Sequence, residues 1–385
     1  MSDHRIIFGN VEDVLASLDA GSADTCITSP PYFGLRSYSD DPREIGKEAT
    51  PAEYVERLVG MFREVKRVLK DSGTLWLVLG DSYVAHLHQR KADEKAGPKQ
   101  TSNRGSLEMP SRSAPGLKPK DLVGIPWRVA LALQADGWWL RRDVIWYAPD
   151  KFCESVKDRP QRKHEYVFLL AKAARYWEDF HAVREAYAGD EERLRGRVYG
   201  GKSEATSTFV GEHHPLGKMP GTVWVINCQG TSFGHYATFP QALAERCMKA
   251  GCPPQVCNEC GAPYEHRIQI VGEREHPLRQ GRTKPAGQFT GEGYEERESL
   301  AKVKDVRDLG YHPACQCHAE TIPGLVLDPF CGSGTVAQTA RKLGRRSIGI
   351  ELQPDYEKVI RQRLDLGGLF DEVEFEYADN LAPAT

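Results

Sequence analysis

Apolar and polar positions along the chain switch between a two-residue and a 3.6-residue period, and the switches mark its elements. Arg5–Phe8 reads as a short strand and Val11–Leu18 as a short helix. Asp24–Thr28 is a β-rich run that must stop at the corner Ser29-Pro30-Pro31-Tyr32, because proline gives no amide hydrogen to a sheet ladder. Tyr54, Leu58, Met61, Phe62, Val65 and Leu69 recur at helical spacing, which predicts a helix over Tyr54–Leu69. Thr74–Leu79 is a continuous apolar run, the signature of a strand buried on both faces. Farther on, the pattern predicts helices at Pro126–Asp136, Gln241–Ala250 and Thr335–Leu343. It predicts strands at Arg142–Tyr147, Tyr166–Ala171, Thr222–Ile226, at the run opening with Leu325, and at Arg346–Glu351. Strands alternating with helices imply an α/β domain with a mainly parallel sheet and helices on both faces.

Three stretches break this rhythm. Residues 86–120 carry eight Lys and Arg against three Asp and Glu and read as a basic loop able to track phosphates. Residues 189–220 are irregular, and Gly272–Gly310 is a polar, charge-balanced excursion. Of the 385 residues, 40% are hydrophobic and 27% charged, enough for a sizeable core; the net charge of −3 does not by itself announce a nucleic-acid partner. Apolar runs are too short to span a bilayer, and the start Met-Ser-Asp-His-Arg is unlike a signal peptide, so the expected address is cytoplasmic, with no membrane partner. In that setting ten cysteines point to reduced thiols or a metal before disulfides.

Two local patterns carry chemistry. Asp328, Pro329, Phe330, Cys331, Gly332, Ser333, Gly334 and Thr335 form a small-residue turn between a strand and a helix, where a ligand can approach the backbone and unpaired helix amides. Glu351 ends the next strand 23 residues after Asp328, the spacing of an acid that accepts both ribose hydroxyls of a nucleoside. The third glycine of a dinucleotide fingerprint is missing, since the helix continues Thr335-Val336-Ala337. At the other end of the chain, Ser29, Pro30, Pro31 and Tyr32 make a rigid corner after a strand. Its carbonyls have no sheet partner, a hydroxyl lies beside them, and Tyr32 offers a flat face for an extruded base.

A third pattern is metallic. Cys257-Asn258-Glu259-Cys260-Gly261 has the spacing of a zinc knuckle, and Cys315 and Cys317 follow after 54 intervening residues, with Cys252, His312 and His318 as nearby alternatives. These four cysteines are expected to hold a structural Zn²⁺. Cutting out residues 255–321 would join a helix almost directly to the strand before Asp328, so this Cys-rich segment reads as an insertion into an otherwise complete domain. The remainder, residues 1–254 and 322–385, reads as the catalytic domain.

The corner and the loop together resemble the amino-methyltransferases that modify DNA, and their order resembles the permuted β group, in which the base-binding half precedes the cofactor half. Lys120–Trp127, Gly137–Trp146, Ser155–Pro160 and His164–Leu170 are similar to the middle of that family. His235–Pro240 is similar to its third cofactor element, which brings in Phe239 and Pro240. The resemblance implies a circularly permuted, seven-stranded Rossmann-like sheet, S-adenosylmethionine as cofactor, and double-stranded DNA as substrate, with a cognate restriction endonuclease as a candidate companion. Residues 189–220 lie where the family often puts target recognition, and with DNA as substrate the Cys-rich insertion reads as a segment that helps grip or read it. Members with Asp before Pro-Pro-Tyr mostly methylate adenine N6 and members with Ser mostly cytosine N4, so Ser29 points to cytosine N4. One departure is Asn10, standing where many relatives carry an acid near the cofactor's adenine, and it is kept as a candidate contact. RNA and protein-glutamine methyltransferases usually have Asn before Pro-Pro and the unpermuted order, which argues against them. An intact loop and corner argue against a zinc-dependent binding protein without catalysis.

Overall fold

The computed structural model describes residues 3–35, 41, 43–84, 115–151, 157–186, 216–229, 239–277, 300–365 and 373–378. In chain order its strands are β1 (His4–Phe8), β2 (Ala23–Thr28), β3 (Leu69–Leu79), β4 (Trp139–Tyr147), β5 (His164–Ala171), β6 (Val223–Val225), β7 (Val256–Cys257), β8 (Tyr264–Pro277), β9 (Leu300–Pro313), β10 (Thr321–Ile322), β11 (Leu325–Asp328), β12 (Arg346–Glu351) and β13 (Val373–Tyr377). The helices are α1 (Val11–Ser17), α2 (Pro51–Val68), α3 (Ile125–Ala135), α4 (Gln241–Gly251), α5 (Thr335–Lys342) and α6 (Glu357–Arg363).

Nine strands form the main sheet, in the order β13-β1-β12-β11-β2-β3-β5-β4-β6, and β5 alone runs against the others. The expectation of seven strands is corrected by the two outermost, which have a shared physical reason: each buries an aromatic ring on one face. In β13, Phe375 and Tyr377 stack on Phe8 at 6.4 and 5.1 Å. In β6, Trp224 turns inward against Trp76 at 6.0 Å while Val223 and Val225 stay exposed. Alternation along β3 divides the core: Leu75, Leu77 and Leu79 pack with α1, α2 and α3 on one face, and Trp76 and Val78 with α4 and α5 on the other. Helix α4 lies directly on the sheet, since a Cβ on Gly251 would come within 2.3 Å of Trp76 Nε1.

Helix α2 starts at Pro51 rather than Tyr54. Thr50 and Glu53 form a reciprocal capping box and Pro51 takes the first turn, where its missing amide costs nothing. The polar excursion is also corrected: β8 and β9 pair antiparallel from Tyr264↔Pro313 to Pro277↔Leu300. Beyond its root this ribbon exposes the apolar side chains of Ile270, Val271 and Leu309, so no buried apolar stripe marks it and its sequence carries little strand signature. Residues 278–299, together with most of the basic loop and most of 189–220, lie outside the described residues. At the described end of the basic loop, Lys118 pairs with Asp121 and Lys120 with Asp158. Among the described residues no helix is long and apolar enough to cross a membrane.

Because β1, β2, β3, β11 and β12 run in one direction, Phe8, Thr28, Leu79, Asp328 and Glu351 all end at the same carboxyl edge, where ligands bind in sheets of this kind.

Candidate active site

Strand β2 is buried throughout and delivers Thr28 to that edge. Thr28 Oγ1 donates a 2.7 Å hydrogen bond to Asp328 Oδ1, joining residues 300 positions apart. The proline corner therefore begins beside the first residue of the glycine loop. Tyr54, one turn into α2, donates its hydroxyl to the Pro31 carbonyl at 2.8 Å, bracing the corner from behind. Among the described residues, no hydrogen bond reaches the Pro30 carbonyl. Ser29 Oγ donates to the Tyr32 hydroxyl at 3.3 Å, and Tyr32 donates at 2.6 Å to Glu165 Oε2 on β5. Lys151 Nζ pairs with the other oxygen of that carboxylate. Burial first, then the neighbouring Glu165 charge, holds the Tyr32 hydroxyl well above its usual range, so it stays protonated.

Gly80, just past β3, makes room for the Tyr32 ring: a Cβ there would stand 2.5 Å from Tyr32 Cε2. Thr28, Tyr54, Gly80, Lys151 and Glu165 were not singled out from the sequence. For Gly80 a signal existed, a glycine ending a buried strand at the ligand edge. Glu165 gave none, because its partner lies 133 residues away.

In the loop, Gly332 and Gly334 both take left-handed backbone, at φ +52° and +83°. At Gly332 a side chain would find its nearest neighbour only at 4.0 Å, so the backbone there is open to a ligand. At Gly334 a Cβ would press to 3.3 Å of Ile360, and no side chain caps the start of α5. Glu351 spans the loop: Oε2 accepts from Gly332 N at 2.8 Å and Oε1 from Gln353 N at 2.9 Å. Ser333 and Thr335 are buried, and both hydroxyls accept from Arg363 on α6, which holds the loop from its far side. Pro329 is buried and Phe330 half-buried against the core. Asn10 caps α1 through a 2.9 Å bond from Glu12 N, two residues past the Phe8↔Glu351 pair. Phe239 packs on the cluster containing Val336, and Pro240 starts α4; residues 235–238 of that segment lie outside the described residues.

Burial is the main cause of the site's electrostatics. It pushes the carboxyls of Asp328 and Glu351 each up to about 7, against the pull of their hydrogen-bond donors. Cys26 and Cys331 are buried beside the motifs, and burial drives both thiols well above their usual range, so neither supplies a thiolate. The four metal-spaced cysteines come together elsewhere: the sulfurs of Cys257, Cys260, Cys315 and Cys317 all lie within 4.8 Å of one another.

Fold and site together place a glycine loop and a rigid proline corner side by side on one edge of an α/β sheet. The DNA methylase family model matches residues 23–257 and 318–362, and the chain belongs to this family of S-adenosylmethionine-dependent DNA methyltransferases. It is 32% identical to the Type II methyltransferase M.SmaI of Serratia marcescens over 362 residues, covering 94% of this chain and 90% of that protein. It is 34% identical to the Type II methyltransferase M.Cfr9I of Citrobacter freundii over 356 residues, covering 92% and 86%. Among solved structures, PvuII DNA methyltransferase (cytosine-N4-specific) shares the fold at TM-score 0.52 and 15% identity, covering 94% of this chain and 87% of that one.

Thr28→Val should lower unfolding stability by about 1–3 kcal/mol, because it strips a buried carboxyl of its shorter hydrogen bond. Thr28→Ser should recover most of the loss. Urea unfolding of the three proteins checks this, and equal midpoints would mean that the bridge does not hold the two motifs together.

Proposed function

We propose that the protein methylates the exocyclic N4 amine of cytosine in double-stranded DNA, with S-adenosylmethionine as donor. The observation that carries this reading is the Thr28–Asp328 bond, which seats the proline corner against the nucleoside loop. Ser29 before Pro30-Pro31-Tyr32 supplies the preference for cytosine, through the resemblance to members with Ser in that place.

The open backbone at Gly332 and the uncapped start of α5 suit the close approach of a nucleoside, and Glu351, held by two amides, would accept its ribose hydroxyls. Phe330, Asn10 and Phe239 are the further residues proposed to line it. The donor contributes a methyl group made electrophilic by its sulfonium.

This chain's residues make the amine reactive. An exocyclic amine is a poor nucleophile because its lone pair is drawn into the ring. With the Pro31 carbonyl taken by Tyr54, Ser29 Oγ and the Pro30 carbonyl are the two acceptors left for its two hydrogens. Accepting both favours a tetrahedral nitrogen, frees its lone pair, and stabilises the positive charge that develops there. Ser29 turns its own hydrogen toward Tyr32, leaving its lone pairs for the amine. The same line gives the departing proton an exit. Ser29 Oγ takes it from the methylated nitrogen while passing its own to the Tyr32 oxygen, and Tyr32 passes its own to Glu165. A base in a duplex must leave the stack to reach this corner, and the Tyr32 ring, braced over Gly80, is its stacking face.

Incubating the protein with unmethylated genomic DNA and S-adenosylmethionine, then analysing nucleosides by mass spectrometry, should reveal N4-methylcytosine. Ser29→Ala should lower the rate about 10²–10³-fold, the usual effect of removing one such stabilising group. N6-methyladenine in its place would overturn the base assignment, and no methylated base with cofactor bound would overturn DNA as substrate.

Glu165→Gln should reduce kcat while leaving the affinity for S-adenosylmethionine unchanged. A wild-type kcat in that variant would remove the proton exit. Cofactor affinity should also depend on pH. Glu351 is held at about 7 by burial, and the ionised form is the better acceptor of two hydroxyls. Below pH 7 a proton must be displaced on binding, so affinity should fall by up to about tenfold per pH unit. Calorimetric titration from acid to mildly alkaline pH tests this: Glu351→Gln should bind more weakly with a shallower slope, and a flat wild-type profile would sink the role of Glu351.

A further inference from the structure

The cysteine cluster sits at the opposite end of the sheet from the site just described. Cys257 closes β7, and the chain turns back within Asn258-Glu259-Cys260-Gly261, with Gly261 left-handed at φ +71° and its amide on the Cys257 carbonyl at 2.9 Å. Cys315 and Cys317 follow β9 and precede β10, which pairs antiparallel with β7. Four thiolates around zinc at about 2.3 Å would stand roughly 3.8 Å apart. All four sulfurs here are within 4.8 Å of one another, so small side-chain shifts close a tetrahedron. Cys252 is no rival ligand: it is fully buried in the core with its thiol toward the Pro253 carbonyl. His312 is turned to the Leu309 carbonyl at 3.0 Å.

We propose that Cys257, Cys260, Cys315 and Cys317 bind one Zn²⁺ that locks the root of the β8–β9 ribbon to the amino edge of the sheet. The ribbon needs such a lock. β8 begins at Tyr264, four residues after Cys260, and β9 ends at Pro313, two before Cys315, so a single ion ties both feet together. A two-stranded ribbon is marginal in water by itself.

The locked root then has two attachments to the catalytic fold. Lys70 Nζ donates to the Gly261 carbonyl at 3.0 Å and to Asp24 Oδ1 at 2.7 Å, while Asp24 Oδ2 accepts from Leu325 N at 2.8 Å. This joins the knuckle to the first residues of β2, β3 and β11. On the other side, Trp177 Nε1 donates to the Tyr264 carbonyl at 2.9 Å. Buried Asp179 accepts from the Tyr311 hydroxyl at 2.6 Å and meets His266 Nδ1 at 3.0 Å.

The arrangement separates the metal from the chemistry. Strand β2 runs six residues between the two edges, a distance of roughly 20 Å at the rise of an extended chain. The DNA methylase family model also passes over residues 258–317, the stretch that holds the ribbon and three of the four cysteines. Zinc therefore maintains the ribbon and not the cofactor loop. Contact of this insertion with DNA, expected from the sequence, concerns a segment of which residues 278–299 lie outside the described residues.

Metal analysis of the purified full-length chain should find one zinc per molecule. Exchange for Co²⁺ should give the intense sulfur-to-metal charge-transfer bands and visible absorption of a tetrahedral four-thiolate site. A Cys315→Ser, Cys317→Ser double variant should lose the ion and exchange amides faster at 264–271 and 305–313, with its affinity for S-adenosylmethionine unchanged. Four free thiols without metal, a disulfide among them, or a cobalt spectrum of fewer sulfurs would overturn the site, whether or not the double variant folds. Loss of cofactor affinity in step with loss of zinc from a folded variant would overturn its confinement to the ribbon.

Discussion

The site depends on one hydrogen bond made away from water. Thr28 and Asp328 end neighbouring parallel strands, and their contact sets the proline corner at a fixed place beside the glycine loop. The rest of the sheet supports that juxtaposition. Close packing of Trp76 under Gly251 holds one face, the apolar ladder Leu75, Leu77 and Leu79 holds the other, and parallel direction brings five strand ends to one edge. Hydroxyls and amides then satisfy what the turn leaves open: Tyr54 on the Pro31 carbonyl and the Gly332 and Gln353 amides on Glu351.

Much of this is legible in the sequence itself. Periodicity gave the strands and helices of the sheet because each is long enough to bury a face. The corner and the loop stood out because proline and glycine narrow the backbone choices sharply. What stayed hidden follows from two physical causes. The edge strand β13 is short and the outer part of the β8–β9 ribbon is exposed, so no apolar stripe declares them, whereas β6 falls inside the predicted strand Thr222–Ile226. Glu165 and Lys151 gain their meaning only from tertiary contact with Tyr32, which no local spacing encodes. The start of α2 is encoded in Thr50-Pro51-Ala52-Glu53, a capping signal that lies outside its apolar periodicity.

The two acids beside the glycine loop illustrate a tension common to buried sites. Burial that excludes water from Asp328 and Glu351 also makes their charged forms costly, and each is pulled back only in part by backbone and hydroxyl donors. A pair of carboxyls near neutrality is sensitive to anything that brings new donors or a positive charge. The free edge of this sheet is thus electrically soft, whereas the corner, fixed by prolines and a protonated Tyr32, is not.

Chain order and sheet order disagree, and this bears on how the protein is born. Strands β2 and β11 are neighbours, yet most of the other strands and helices lie between them in the sequence. Until β11 and β12 emerge, β1 and β2 lack the strands that separate them in the finished sheet. Long-range pairings of this kind are slow to form. A nascent chain therefore waits, with its central gap unfilled, until β11 and β12 have been made. No product that stops short of β11 can carry both halves of the site, so the ability to mark DNA waits on that strand.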